Sequence, residues 1–253
     1  IPEADFMLSD VRRLKAKDLE PVDVLHAGFP CQSFSQAGDR KGFDDPRGQL
    51  FYEIPRIIGE FKDQKPKVLV MENSLFLRYG AGGAWFLQVK AAIQRAGYWF
   101  REANVAEIDA SAVTDLPQQR VRLFMVAFSI KHFLSGRFEF PTPIIQRENR
   151  IADYIDFEGE QADEYYLSPE NRYYRQIMAT AKDDRLVYQL RKYEVRPKEP
   201  GVCPTLTANM GSGGHNVPFV FDRRGLRKLT EQECLRLQGF PSEFKFPDSV
   251  PKH

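Results

Sequence analysis

The residues best suited to chemistry are a cysteine, a carboxylate and two arginines, each beside an apolar run. Cys31 stands in Gly28-Phe29-Pro30-Cys31-Gln32-Ser33-Phe34-Ser35. The branched apolar segment before it, Val22-Asp23-Val24-Leu25-His26-Ala27, reads as a buried strand. Such a strand delivers the thiol to the carboxyl edge of a sheet, where ligands bind in open α/β folds. A free cysteine is more often a small buried hydrophobe. Here Pro30 fixes the backbone just before the thiol and polar residues follow it, which favours a nucleophile. A second buried-strand pattern, Lys67-Val68-Leu69-Val70-Met71-Glu72-Asn73, ends in an acid and an amide. Glu72 is either a solvated strand end or part of the same site, and the shared sheet edge favours the site. Arg120 and Arg122 lie where polar Gln118-Gln119 runs into apolar Leu123-Phe124-Met125-Val126. Two residues apart, they share one face of an extended segment, as two solvated arginines at an ordinary strand edge also do.

The elements that must carry these groups follow from pattern. Asp10-Val11 precedes a basic, helix-prone Arg12-Arg13-Leu14-Lys15, so Asp10 is equally a helix N-cap or an acceptor for a ligand's amino group. Residues 36–48 are rich in glycine and charge without hydrophobic period and read as a long mobile loop. Residues 50–58 predict an amphipathic helix weakened at Pro55, residues 85–96 a helix stopped by Gly97, and residues 104–109 a strand. Near Phe138 the alternation of strand and helix stops, and residues 153–164 carry six acids and no base. That shift places a domain boundary near residue 136, dividing 1–135 from 136–253. Beyond it, Thr205-Leu206-Thr207 leads into a glycine-rich stretch at 211–214, and Arg223, Arg224, Arg227 and Lys228 form the densest basic cluster. The helix after that cluster has Thr230 as cap, Glu233 as its capping-box partner and Gly239 as stop, with Cys234 inside it as packing.

Composition removes several classes. No apolar run is long enough to span a bilayer, and no signal-like segment opens the sequence. The three cysteines are far apart without a C-x-x-C pair, which argues against disulfides and zinc and suits a reducing cytoplasm. A net charge of +1 means that any polyanion-binding surface must come from local clustering. A thiol hydrolase would pair Cys31 with a histidine, and none of His26, His132, His215 and His253 lies in a stretch that reads as a general-base site.

The Pro30-Cys31-Gln32 segment, Glu72-Asn73, Gln118-x-Arg120-x-Arg122 and Thr205-Leu206-Thr207 occur in the order and at the distances found in the DNA (cytosine-5) methyltransferases. The chain resembles that family over most of its length. The resemblance implies a Rossmann-like α/β fold dependent on S-adenosylmethionine, with a smaller, variable target recognition domain. It implies Cys31 as nucleophile on a flipped-out cytosine in double-stranded DNA, Glu72 on the pyrimidine edge, and Arg120 and Arg122 on the cytosine. For the cofactor it implies Asp10 beside the adenine, with Val11, Pro30 and Leu50. For DNA it implies Gln32, Ser35, Arg47, Thr205 and Thr207. To these the basic cluster adds Arg223, Arg224 and Arg227, with the acidic run 153–164 facing away. A cytoplasmic monomer working beside a cognate restriction endonuclease is the implied setting. Ser74 stands where the family has valine.

Two family motifs are not found between Ile1 and His253: the Phe-x-Gly-x-Gly loop that precedes the cysteine strand and the Gly-Asn motif after the final helix. The sequence therefore reads as part of a longer chain. One part of a split methyltransferase and a catalytically incomplete DNA-binding homologue are the alternatives.

Overall fold

The computed structural model describes residues 7–34, 41–142, 150–181, 183–191, 194–208, 210 and 216–245. Two compact units divide the chain, the first made of residues 1–108 and 121–142, the second of 109–120 and 143–253. The division thus falls after Thr142 rather than near 136, and a short segment before the fifth strand joins the second unit.

The first unit runs β1 (Val24–Gly28), α1 (Pro46–Gln49), α2 (Glu53–Glu60), β2 (Val68–Ser74), α3 (Phe76–Tyr79), α4 (Ala84–Arg95), β3 (Tyr98–Trp99) and β4 (Val105–Asp109). The chain passes through α5 (Ala110–Val113) and returns as β5 (Val121–Ser129). The sheet order is β1-β2-β5-β3, with β4 also on β5. β1 and β2 are parallel, while β5 is antiparallel to β2 and β3. Alternation along β2 buries Leu69, Met71 and Asn73 and leaves Val68, Val70, Glu72 and Ser74 half-covered on the other face. Phe86, Val89 and Ile93 recur on one side of α4 and share a core with Leu69, Met71, Leu123 and Met125.

Three local expectations need revision. The strand before Cys31 is an edge strand whose residues alternate between exposed and half-buried, because β2 is its only partner among the described residues. Residues 11–13 form a turn rather than a helix; Asp10 accepts the Arg12 N–H at 3.0 Å, and the first helical turn is a 3-10 turn at Ala16–Asp18. Pro55 does not weaken α2, because it lies in the first turn, where no intrahelical donor is needed.

The loop bearing Cys31 is held from two sides. Buried Asn73 donates from Nδ2 to the Phe29 carbonyl at 3.0 Å, and its Oδ1 accepts the Ser74 N–H at 2.8 Å. The Trp85 ring packs edge-on against Phe34 at 5.5 Å between centroids. Gly42 lies against the same indole at φ +56°, where a Cβ would meet Trp85 Nε1 at 2.1 Å, so only glycine fits. The Gly42 N–H in turn donates to the Ser33 carbonyl at 3.0 Å, closing the base of the loop whose tip, with Ser35, lies outside the described residues.

The second unit builds α6 (Tyr174–Thr180), β6 (Tyr188–Leu190), β7 (Val195–Pro197), β8 (Val217–Phe221), β9 (Leu226–Lys228) and α7 (Glu231–Leu237), with the antiparallel sheet order β7-β6-β8-β9. α7 starts as its capping box predicts: Thr230 Oγ1 accepts the Glu233 N–H at 3.2 Å and Glu233 Oε2 accepts the Thr230 N–H at 2.7 Å. Gly239 closes it at φ +82°. Cys234 packs into the core beside fully buried Cys203, and burial pushes its thiol up to about 12. No described helix is long and apolar enough to cross a membrane.

Arg227 is fully buried, which removes it from the DNA-contacting candidates. Its Nε donates to Asp222 at 2.7 Å, both terminal nitrogens donate to Glu233 at 2.8 Å, and the carbonyls of Asp156 and Lys228 take further bonds. One guanidinium therefore joins β9, α7 and residue 156, and two carboxylates depend on it for neutralisation.

Two expected outcomes follow from these contacts. Arg227→Ala should lower stability by about 3–5 kcal/mol in urea unfolding, since Asp222 and Glu233 stay buried and unpaired. Asn73→Ala should cost about 1–3 kcal/mol in the same assay through the orphaned Phe29 carbonyl. Loss below about 0.5 kcal/mol in either variant would show that water replaces the missing partner.

Candidate active site

The parallel register of β1 and β2 aligns Gly28 with Glu72, so the chain leaves β1 toward Cys31 at the edge where β2 presents Glu72. Cys31 is half-buried in the turn that follows, where the Phe34 N–H bonds to its carbonyl at 3.0 Å. Across the sheet, β5 pairs with β2 so that Ser74 is opposite Arg122 and Glu72 opposite Phe124. Arg122 Nε reaches Glu72 Oε1 at 3.0 Å, and its Nη1 donates to the Val121 carbonyl at 2.8 Å. Both side chains of the pair remain partly exposed, at 22% and 30%. Glu72 and Arg122 thus belong to one sheet of the first unit, and Cys31 follows a strand of the same sheet.

Arg120 is not on the strand face with Arg122. It precedes β5 in the segment that joins the second unit, where its N–H donates to Asp109 Oδ1 at 2.7 Å and its carbonyl accepts the Ala110 N–H at 3.2 Å. The segment is held in that unit by Gln118, buried, whose amide donates to the Leu237 carbonyl at 3.1 Å and accepts the Leu206 N–H at 3.3 Å. Asp109 had no functional signal in the sequence beyond its place at the end of a strand, and Asn73 was marked only as the neighbour of Glu72 in the shared segment.

The cofactor candidates come from three segments of the first unit: the turn at Asp10-Val11, the loop before Cys31 and the chain after α1. Asp10 is exposed, and its carboxylate is held down at about 2 by the Arg12 side chain and N–H. The carbonyls of Val11 and Leu14 each accept from Arg56 Nη2 at 2.9 Å, which docks this segment on α2. Val11, Pro30 and Leu50 are half-buried. An exposed, ionised acid followed by half-buried Val11 fits the adenine end of S-adenosylmethionine, because the carboxylate can accept from the adenine amino group.

The DNA candidates divide. Gln32 is exposed beside Cys31. Arg47 pairs with Asp45 at 2.6 Å, and its guanidinium and N–H hold that carboxyl at about 2 while Asp45 caps α1. Thr205 is half-buried and donates its hydroxyl to the Gln119 carbonyl at 2.6 Å, a bond internal to the second unit, and Thr207 is half-buried near it in sequence. Arg223 pairs with Glu158 at 3.0 Å and Arg224 with Asp163 at 2.5 Å. The acidic run therefore does not face away from the basic cluster but is interleaved with it. Such exposed pairs add little stability, yet they cancel the positive field expected from sequence.

Comparison with known proteins places the chain in a family and a fold. The family model described as C-5 cytosine-specific DNA methylase matches residues 3–252. The chain is 37% identical over 251 residues to the type II methyltransferase M.Bsp6I of a Bacillus strain, covering 98% of this chain and 77% of that protein. It is 32% identical to M1.ScrFI of Lactococcus lactis, covering 95% of this chain and 59% of the relative. Among solved structures, the Entamoeba histolytica methyltransferase EhMeth superposes with a TM-score of 0.66 at 17% identity, covering 98% of this chain and 76% of the other. The Dnmt2 methyltransferase of S. pombe gives 0.64 at 20%, covering 96% and 75%. Those two likenesses establish the Rossmann-like α/β fold, and the sequence match establishes the rest: this chain belongs to the C-5 cytosine-specific DNA methylase family.

Proposed function

We propose that this chain methylates carbon 5 of a flipped-out cytosine in a specific double-stranded DNA sequence through a covalent bond to Cys31. The observation that carries the proposal is the Glu72–Arg122 pair, 3.0 Å apart at the sheet edge toward which β1 delivers Cys31. Carbon 5 is a poor nucleophile while the ring is aromatic. The Cys31 thiolate attacks carbon 6, forming the C–S bond and moving the ring electrons onto carbon 5 as an enamine. Glu72 supplies or shares a proton at ring nitrogen 3, which offsets that electron density. Arg122 holds the carbonyl oxygen, where negative charge grows. S-adenosylmethionine, when bound, supplies the methyl group on a positively charged sulfur; Asp10, Val11, Pro30 and Leu50 are the residues proposed to hold it. After methylation the carbon 5 proton leaves to a base, its electrons restore the ring double bond, and Cys31 departs as thiolate. None of these groups can reach carbon 6 in a stacked duplex, so the base is taken out of the helix.

The first unit is the catalytic part of this reading, and the region from residue 143 onward supplies target recognition. With Arg227 buried and Arg223 and Arg224 neutralised, the phosphate contacts of that region move to Arg172, Arg175 and Arg185. These are exposed and have no carboxylate partner among the described residues. Arg175 lies in the first turn of α6 and Arg172 two residues before that helix, so both lie at its N-terminal end. The enzyme is read as a cytoplasmic monomer that protects DNA from a cognate endonuclease, in keeping with the type II naming of its relatives.

Target DNA carrying 5-fluorocytosine should become covalently attached in the presence of S-adenosylmethionine, because fluorine cannot leave as a proton does. Cys31→Ser should abolish the adduct seen on denaturing gels, while Cys203→Ser and Cys234→Ser should keep it. No adduct with the unaltered chain would leave a DNA-binding homologue without catalysis. Glu72→Gln should slow single-turnover methylation about 100- to 10,000-fold with DNA affinity nearly unchanged. In binding titrations at several salt concentrations, Arg172→Ala with Arg175→Ala should lower the slope of log affinity against log salt by about two. Arg223→Ala with Arg224→Ala should change it by less than about one. The reverse order would return the contact to the basic cluster.

A further inference from the structure

Ser74 closes β2 two residues beyond Glu72, so both side chains lie on the same face of the strand. Its cross-strand partner in the register is Arg122, whose guanidinium is bound to Glu72 at 3.0 Å. The Ser74 hydroxyl is shielded from solvent yet has no hydrogen-bond partner among the described residues. Its own N–H is satisfied by Asn73 Oδ1 at 2.8 Å, so the orphan is the side chain alone. A buried hydroxyl without a partner is costly, and a strand position prefers a branched apolar residue, so nothing in the free protein accounts for serine here. Ser33, Asn104 and Arg236 also carry unpartnered buried atoms. Ser74 is the one that lies on the strand face of the proposed catalytic acid and opposite its arginine.

We infer that Ser74 is a positioning residue that accepts an N–H of Arg122 when Glu72 turns to the pyrimidine. This rests on the reaction proposed above. In the structure Arg122 Nε forms an ion pair with Glu72. Once Glu72 turns to ring nitrogen 3, the Arg122 nitrogen loses its carboxylate partner in a site closed around the base. The nearest residue across the ladder offers a hydroxyl oxygen that was kept vacant. Arg122 then keeps its orientation toward the carbonyl oxygen without holding Glu72 back. The exchange moves no covalent bond; it replaces the ion-pair partner of Arg122 by a hydroxyl acceptor.

The test is a set of three substitutions that separates the hydroxyl from the shape. Valine and threonine have nearly the same volume and branching, and only threonine keeps the hydroxyl. Ser74→Val and Ser74→Ala should lower kcat for methylation about tenfold with KM for DNA unchanged, while Ser74→Thr keeps at least half of the rate. In an Arg122→Lys background, Ser74→Val should cost less than twofold, because the donor it serves is gone. Thermal unfolding of the free protein should move the other way, with Ser74→Ala and Ser74→Val melting higher than the unaltered chain because a buried orphan is removed. The unaltered chain is carried through the fluorocytosine trap in parallel, so absence of the adduct would indict the reaction rather than Ser74. With the adduct present, a Ser74→Val enzyme as fast as the unaltered one would overturn the inference. Equal loss in the valine and threonine variants would also do so, since shape and not the hydroxyl would then be what matters.

Discussion

The pairing of β1 with β2 is the constraint on which the site depends. Parallel strands end at the same edge, so the register that sets Gly28 against Glu72 brings together two segments 44 residues apart in sequence. Pairing alone leaves the turn after β1 free to wander. Asn73 removes that freedom by bonding the Phe29 carbonyl from a buried position, one residue beyond the acid itself. A single side chain therefore ties the backbone before Cys31 to the strand that carries Glu72. Because the bond is buried, water competes poorly for it, and it is worth more than a surface contact of the same length.

Tight packing around glycine serves the same end on the other side of the loop. Trp85 lies so close to Gly42 and Gly80 that a Cβ on either would come within 2.1 Å of the indole. Its ring also meets Phe34 edge-on. The start of α4, the chain after Cys31 and the return of the loop at Gly42 thus share one contact surface. This arrangement leaves Glu72 and Arg122, the acid and arginine of the proposed site, partly open while Asn73 and Phe34 beside them are buried.

Charge in the second unit is spent inwardly. The three arginines of the densest basic cluster divide into one that holds a core together and two that meet acids on the surface. Arg227 satisfies two buried carboxylates and two carbonyls with one planar group, which lysine could not do. Density of charge along a chain therefore says little about the field outside it, because the fold decides which charges are paired.

Strand-ending residues, capping patterns and the spacing of the motifs were legible in the sequence, because each depends on neighbours within a few positions. Thr230, Glu233 and Gly239 set both ends of α7 by local hydrogen bonds and backbone freedom, and Val68 to Met71 alternates as any half-covered strand must. Cys31, Glu72 and Arg122 were named by their types and their places beside apolar runs. What only the tertiary structure decided were relations between distant segments. The exposure of β1 depends on which strands flank it, so its apolar residues read as buried when they lie at an edge. Arg120 and Arg122 look equivalent two residues apart, but the chain leaves one compact unit for the other between them. The burial of Arg227, the neutralisation of Arg223 and Arg224, and the vacant hydroxyl of Ser74 rest on partners up to 71 residues away. Pattern reports the period of a backbone; which face, which partner and which charge remains open is fixed by packing.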